Sequence, residues 1–365
     1  MAKYTNVFKS LQHEILEGKF AGGRRLPSEA ELCRRYGVSR PTAARALREL
    51  QQIGLITRRA GSGSYLVAPM SAPMSTGHTL GLLVPGLGNT EILGPICNEI
   101  IRFAQSLGNS VLWSDAAQPI RSGEDALKLC RQLTERPVSG VFFAPIESVV
   151  DRQTWNRRIA EEFQRHLIPL TLLDRDLGEF SSRSQFDLIG IDNVAAAIEL
   201  TQHLLSCGRQ RICFFARPHF PSTTDLRQLG CREALRREGV RGKYAFAHFG
   251  DPTNAKLVLE ILEKAKPDAI ICSNDQTAAL LMRTLIQLGR NVPGDMAIAG
   301  FDDVHYSTLL APPLTTIRQP CREIGRSAVR MLLERIADPT LPPRQILHSH
   351  ELVRRQSTDR PSAGR

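Results

Sequence analysis

The residues best equipped for chemistry in this 365-residue chain are arginines on one short helix and polar groups that follow short apolar runs. In LPSEAELCRRYGVSRPTAARALRELQ (26–51), Arg40, Thr42, Arg45 and Arg48 project from a helix whose opposite side is Ala43, Ala46, Leu47 and Leu50. A guanidinium fork matches the two acceptors that guanine shows in the DNA major groove, a contact that discriminates by about 1–3 kcal/mol. The second group comprises Glu147 after FFAPI, Asp174, Arg175 and Asp176 after LTLL, Asn274 and Asp275 after AIICS, and Asp302 and Asp303 after AIAGF. Polar side chains gathered at strand ends suit a polyhydroxyl or similarly polar small molecule. No pairing of nucleophile and base stands out, so the expected chemistry is recognition; the chain is not read as an enzyme and no cofactor is expected.

Each assignment has a plainer counterpart. The two helices could be an ordinary hairpin with a solvated charged face. Asn274 or Asp275 could cap the helix that follows, since Asn and Asp are leading N-caps. Asp302-Asp303 could be a turn pair, and Arg227 in TTDLRQLGC could be an exposed helix residue.

The elements that would position these groups follow from local signals. Ser28 can cap the first helix, with Glu31 closing a capping box, Gly37 ends it, and Ser39 caps the second helix. Ser28 and Ser39 also stand among the candidates for DNA contact. Val7, Phe8, Leu11, Ile15 and Leu16 predict a helix over 5–17. Residues 56–58 and 64–67 predict a hairpin. Its tip, with Gly61, Ser62 and Gly63, lets the backbone approach a phosphate or the minor-groove floor, while Arg58 and Arg59 add charge. Residues 69–78 are rich in Pro, Ser, Gly and Ala and read as a semi-extended tether. Beyond them, ten strand candidates between 80 and 317 alternate with eight helical stretches between 92 and 336. That α/β alternation implies parallel sheets flanked by helices, in two lobes. The expected division is a small domain at 1–68, a linker at 69–78, a large domain at 79–353 and a basic, disordered tail at 354–365.

Composition excludes several classes. With 42% hydrophobic and 23% charged residues the chain reads as soluble and globular. No apolar run approaches bilayer length and the N-terminus lacks the apolar core of a signal peptide, so a cytoplasmic protein with no membrane partner is expected. The eight cysteines are scattered without a CxxC pair and read as small buried hydrophobes in a reducing compartment. His348 and His350 alternate on a strand-like segment but lack a third ligand, so no metal site is expected. Residues 1–68 hold twelve Lys and Arg against five Glu and no Asp, a balance of +7 out of the chain's +10. A concentrated basic module on a nearly balanced body is the electrostatic footprint of a nucleic-acid reader.

The run I-L-x-G-x-F, R-R-L-P-S-E-x-E-L, Y-G-V-S-R-x-T, A-L-x-x-L-x-x-x-G-L-I and G-x-G-x-Y-L resembles the winged helix–turn–helix of the GntR family of bacterial regulators over about 5–68. The resemblance implies that Arg40 and Arg45 contact DNA bases, with Thr42 on a phosphate between them and Arg48 a backbone contact or solvated. Ala30 stands where the family has a further contacting Arg.

A second set of motifs, S-N-D-Q, V-P-G-D-M-A-I-A-G-F-D-D and P-P-L-T-T-I-R-Q-P, resembles the effector domain of the LacI/GalR family, akin to periplasmic sugar-binding proteins. It implies ligand contacts at Asp174 or Arg175, Arg227, Asn274 or Asp275, and Asp302. Where many relatives carry an N-P-F-F run that stacks on a sugar, this chain has Asn89-Thr90-Glu91-Ile92, so hydrogen bonds from Asn89, Glu91 and Glu147 would outweigh stacking. The fold expected is α/β: an N-terminal winged helix–turn–helix plus a two-lobed periplasmic-binding-protein-like domain. The pairing resembles the arabinose-repressor group of regulators. It implies a homodimer on palindromic operator DNA, controlled by a small sugar or sugar-derived effector. Two other classes compete: a pyridoxal-phosphate aminotransferase-like enzyme fused to a DNA reader, whose body is longer and needs its own Schiff-base lysine, and a sugar-binding module without specific DNA recognition.

Overall fold

The computed structural model describes residues 7–8, 10–11, 14, 26–52, 56–59, 63–66, 77–84, 91–113, 122–147, 149–178, 183–218, 221–240 and 246–359. The chain divides into two units, Met1–Thr76 and Gly77–Arg365.

In the first unit α1 (Glu29–Tyr36) begins at Ser28, whose Oγ accepts from the Glu31 N–H at 3.3 Å while Glu31 Oε2 accepts from the Ser28 N–H at 2.7 Å. This capping box satisfies two N–H groups that a helix start otherwise leaves without partners. Gly37 ends α1 at φ 61°, a left-handed backbone that a Cβ would strain. The chain re-enters a helix at once as α2 (Arg40–Gln52). Ala43, Ala46, Leu47 and Leu50 of α2 pack with Leu32 of α1 and with Val7, Leu11, Leu26 and Ile56 in one buried cluster. Burying each leucine contributes about 1.5–3 kcal/mol. That burial decides which side of α2 stays outside, and Arg40, Arg45 and Arg48 are on it. β1 (Ile56–Arg59) and β2 (Gly63–Leu66) pair antiparallel, with Arg59 opposite Gly63. The Leu26 N–H donates to Ser64 O at 2.8 Å and fastens the hairpin to the approach to α1. Most of the helix expected over 5–17, the hairpin tip and nearly all of the linker lie outside the described residues.

The second unit holds two six-stranded sheets, each covered by helices. The first lobe runs β3 (Thr79–Leu83), α3 (Leu93–Ser106), β4 (Ser110–Trp113), α4 (Gly123–Thr134), β5 (Gly140–Phe143), α5 (Arg152–Arg165), β6 (Leu170–Leu173) and β7 (Asp187–Ile191). The second runs α6 (Asn193–Ser206), β8 (Ile212–Ala216), α7 (Ser222–Arg237), β9 (Ala247–Phe249), α8 (Ala255–Lys264), β10 (Ala269–Cys272), α9 (Asp275–Gln287), β11 (Ala297–Asp302) and β12 (Thr315–Arg318). Then α10 (Cys321–Ala337) returns to pack on α3 and the first sheet, β13 (Gln345–His348) joins that sheet beside β7, and β14 (Glu351–Val353) joins the second beside β12. The chain therefore passes between lobes three times: at Asp192, between Arg318 and Cys321, and between His348 and Glu351. Central strands such as β5, β6, β8 and β10 are buried along their whole length, as parallel strands covered on both faces must be.

Three expectations are corrected. The described residues of this unit hold twelve strands, because β13 and β14 were not among the ten candidates: too short and too exposed to show an apolar period. β14 runs antiparallel to β12, so the second sheet is mixed. The tail from 354 is not disordered throughout. Arg355 donates to Leu314 O at 2.7 Å, Ser307 Oγ at 3.1 Å and Asp303 Oδ1 at 2.5 Å, and Ser357 Oγ donates to Ile298 O at 2.6 Å. Residues 360–365 lie outside the described residues. Removing Arg355 strands its partly buried partners, at a cost of about 1–3 kcal/mol. Arg355→Ala will accordingly lower the melting temperature by several degrees, and an unchanged melt would show this tail contact to be dispensable.

Candidate effector cleft and DNA-reading surface

The first lobe brings Asp174 and Arg175 to the end of β6, and the second brings Arg227 on α7 and Asp302 at the end of β11. Asp174 and Asp302 have φ 69° and 111°, strained for residues that carry a Cβ. Such backbone costs about 1–3 kcal/mol per residue and persists where the surroundings impose it, most often at functional sites. Arg227 is buried. It donates through Nε to Asn193 Oδ1 at 2.8 Å and through Nη1 to Ser273 O at 2.6 Å, stands 3.6 Å from Asp302 Oδ1, and lies over the Phe301 ring at 4.4 Å. Gln319 Nε2 donates to the same Asp302 oxygen at 2.8 Å. Arg175, equally buried, donates to Pro145 O at 3.0 Å, touches Glu147, and stands 3.3 Å from Asp174 Oδ2.

The two lobes feel each other here. Burial pushes the Asp174 carboxyl up to about 7; Arg227 of the opposite lobe opposes the rise and Asp302 adds to it. Burial likewise raises Asp302 above the usual carboxylate range, against Arg227 and Gln319 and with Glu91 adding to the rise. Tyr306 is raised by burial first and then by Glu91, which places that exposed carboxylate of the first lobe near the second. For Asp174 the linkage has one sign. A carboxyl whose folded pKa lies above its unfolded one favours folding below about pH 4, and that contribution is lost as pH rises through about 7. Asp174→Asn will therefore raise the melting temperature of the ligand-free protein near pH 8, with the gain shrinking toward pH 5. A gain independent of pH would remove the titration of Asp174 as its cause.

The structure redistributes the candidates. Asn274 is the N-cap of α9, its Oδ1 accepting from the Thr277 N–H at 2.9 Å, so the plainer reading holds for that oxygen. Asp275 is engaged within its own lobe: Oδ1 accepts from Thr316 Oγ1 at 2.6 Å and Oδ2 from the Val304 N–H at 3.1 Å. Both oxygens brace the exit of β11 against β12, and a Cβ on Gly300 would come 2.3 Å from Oδ1, so only glycine fits there. Asp303 is neither ligand contact nor simple turn residue, being held by Arg318 at 2.6 Å and by Arg355. Asn89 lies outside the described residues. Sequence reasoning missed Asn193, Phe301 and Gln319. Each acts by holding Arg227 or Asp302; Phe301, in A-I-A-G-F-D-D, and Gln319, in T-T-I-R-Q-P, sat inside quoted motifs.

On the first unit, Arg40 lies 3.6 Å from Glu29 and Arg45 3.4 Å from Glu49, both at exposed positions. Ser39, directly before α2, shares a 2.8 Å hydrogen bond with the Thr42 hydroxyl, and Ser28 is engaged in its capping box. Gly63 opens β2 at φ 118°, whereas Gly61, Ser62 and the Arg58 side chain lie outside the described residues.

A basic helix–turn–helix with a hairpin wing, joined to an α/β domain whose lobes converge on buried charge, has the architecture of a ligand-responsive DNA-binding regulator. Residues 3–66 match bacterial regulatory proteins of the gntR family, and residues 201–358 match a periplasmic binding protein-like domain. The chain thus joins a GntR helix–turn–helix domain to a periplasmic-binding-like effector domain. It is 25% identical over 370 residues to the arabinose metabolism transcriptional repressor of Geobacillus stearothermophilus, covering 98% of each chain. It is 29% identical to the HTH-type transcriptional repressor CytR of Escherichia coli (strain K12), over 88% of this chain and 93% of that one. Among solved structures, a transcriptional regulator CelR–cellobiose complex superposes with a TM-score of 0.67 at 24% identity, covering 94% of this chain and 98% of that chain. Among the described residues no helix is long and apolar enough to cross a membrane.

Proposed function

We propose that the protein is a transcription repressor of a carbohydrate-utilisation operon, acting in the cytoplasm as a homodimer on a palindromic operator and controlled by a small sugar-like effector held between the lobes. The observation that carries the reading is the joining of an exposed arginine face on α2 to a cleft where Asp174, Arg175, Arg227 and Asp302 converge from two lobes. Full-length similarity to a repressor named for arabinose metabolism supports it. Arg40 and Arg45 read base edges, Thr42 meets a phosphate, and the wing lies against the backbone or minor groove. Arg227 and Asp302 hold the effector from one lobe, and Asp174 and Arg175 from the other.

An effector shifts a conformational equilibrium only by its differential affinity for the two states. Contacts made from both lobes satisfy that condition, because they exist together only when the lobes close. The test is footprinting on the natural operator with the cleft empty and filled. A changed occupancy supports the reading, and equal occupancy would falsify it. A chain of residues 77–365 alone will fold and retain effector binding; an insoluble product would show the two units to be interdependent.

A further inference from the structure

Asp302 and Asp303 are neighbours in the chain and keep different company. Asp302 lies in the cleft with Arg227 and Gln319. The Asp303 carboxylate sits in a cage of donors. Its Oδ2 accepts from Arg318 Nε at 2.6 Å, and its Oδ1 accepts from Arg355 Nη2 at 2.5 Å and from Ser307 Oγ at 3.2 Å. Burial alone would raise this carboxyl, yet the hydrogen bonds from Arg355 and Arg318 leave it below its ordinary range. Both aspartates have left-handed backbone, φ 111° for Asp302 and 50° for Asp303. A residue with a Cβ keeps that conformation only where its surroundings impose it.

Arg355 is not needed merely to fasten its own segment. Ser357 Oγ donates to Ile298 O at 2.6 Å and accepts from the Thr315 N–H at 2.8 Å, and Thr358 Oγ1 lies 2.8 Å from both Thr315 Oγ1 and His203 Nε2. Arg318 likewise reaches past its strand, its Nη1 donating to Glu351 Oε2 at 2.8 Å. Arg318 stands where the second crossover leaves the second lobe, and Glu351 where the third re-enters it. The cage thus joins the strained turn beside Asp302 to residues 355–358 and to two of the three connections between the lobes.

Resting on the effector reading above, we propose that Arg318 and Arg355 are positioning residues for the cleft: by gripping Asp303 they hold Asp302 at the angle from which it meets the effector, and so set effector affinity without touching the effector. A binding group must be kept within about 0.5 Å of its productive place, and side chains that share one hydrogen-bond network are coupled in energy.

The full-length protein is screened by thermal shift with L-arabinose, D-ribose, D-galactose, cellobiose and D-galacturonate. The probe that raises the melting temperature most is then titrated by calorimetry into three variants. Arg355→Ala will bind it about tenfold more weakly or worse. Arg318→Ala, whose side chain is 46% exposed and matters less to folding, will bind it about threefold more weakly. Ser357→Ala controls for lost stability. It removes a buried tail contact that does not touch Asp303, so it will lower the melting temperature yet bind within about twofold of wild type. Hydrogen exchange on ligand-free protein needs no probe. The Asp303 and Val304 amides, which donate to Thr316 and Asp275, will exchange faster in Arg355→Ala and not in Ser357→Ala. Wild-type affinity in both arginine variants, equal weakening in Ser357→Ala, or unchanged exchange in Arg355→Ala overturns this inference and leaves the effector reading standing. Silence across the whole panel, with operator still bound, overturns the effector reading and this inference with it.

Discussion

Arg227→Ala protein will still bind its operator and will no longer answer to effector. The guanidinium joins α6 through Asn193, the end of β10 through Ser273 O, and Asp302, so its loss leaves Asp302 buried without its cation. Breaking one partner of a buried pair costs about 3–5 kcal/mol, and part of that will appear as a lower melting temperature. Asp302→Asn separates the two effects, because it keeps an acceptor for Gln319 and removes only the charge. Effector affinity in either variant is expected to fall by about two orders of magnitude or more. A wild-type dose response in both would take these residues out of the ligand site.

Arg45→Ala is expected to abolish recognition of the operator with no loss of fold. Its side chain is 56% exposed and its recorded ion pair is with Glu49 one turn away, a pair of the kind worth about 0.3–0.5 kcal/mol. A bidentate guanine contact carries about 1–3 kcal/mol of discrimination, and the homodimer proposed above would lose two of them. Fluorescence anisotropy with operator and scrambled duplexes will therefore show the preference collapsing by about two orders of magnitude. The melting temperature and effector affinity will stay unchanged. If the preference survives, base reading lies with Arg40 and Arg48.

The parts of this architecture that sequence reveals are those with a repeating or local cause. The capping box at Ser28 and Glu31 and the left-handed Gly37 are short-range chemistry, and both were legible. The βα alternation was legible because buried parallel strands are apolar end to end, so β5 and β10 fall where expected. Of β13 and β14 only a strand-like stretch around His348 was legible, because neighbours far away in sequence decide how these short strands pair. The cleft shows the same division. That polar residues follow strand ends is visible in the chain; which of two adjacent residues faces the ligand is not. Asn274 and Asp275 differ by one position, yet one caps a helix and the other is sealed by Thr316 and Val304 from distant segments. Arg355 looked like part of a charged tail because its partner, Asp303, lies 52 residues earlier.

The last two strands impose an order on how the protein is made. β13 completes the sheet begun at Thr79 and β14 completes the other, so both sheets await residues beyond 344. During synthesis the winged helix can leave the ribosome and fold while neither half of the effector domain has its final edge. A chain stopped short of Gln345 would carry an arginine-bearing head on a body with two unfinished sheets. In a cell that also makes the intact protein, such a fragment would, on the function proposed above, compete for the operator without being able to answer an effector.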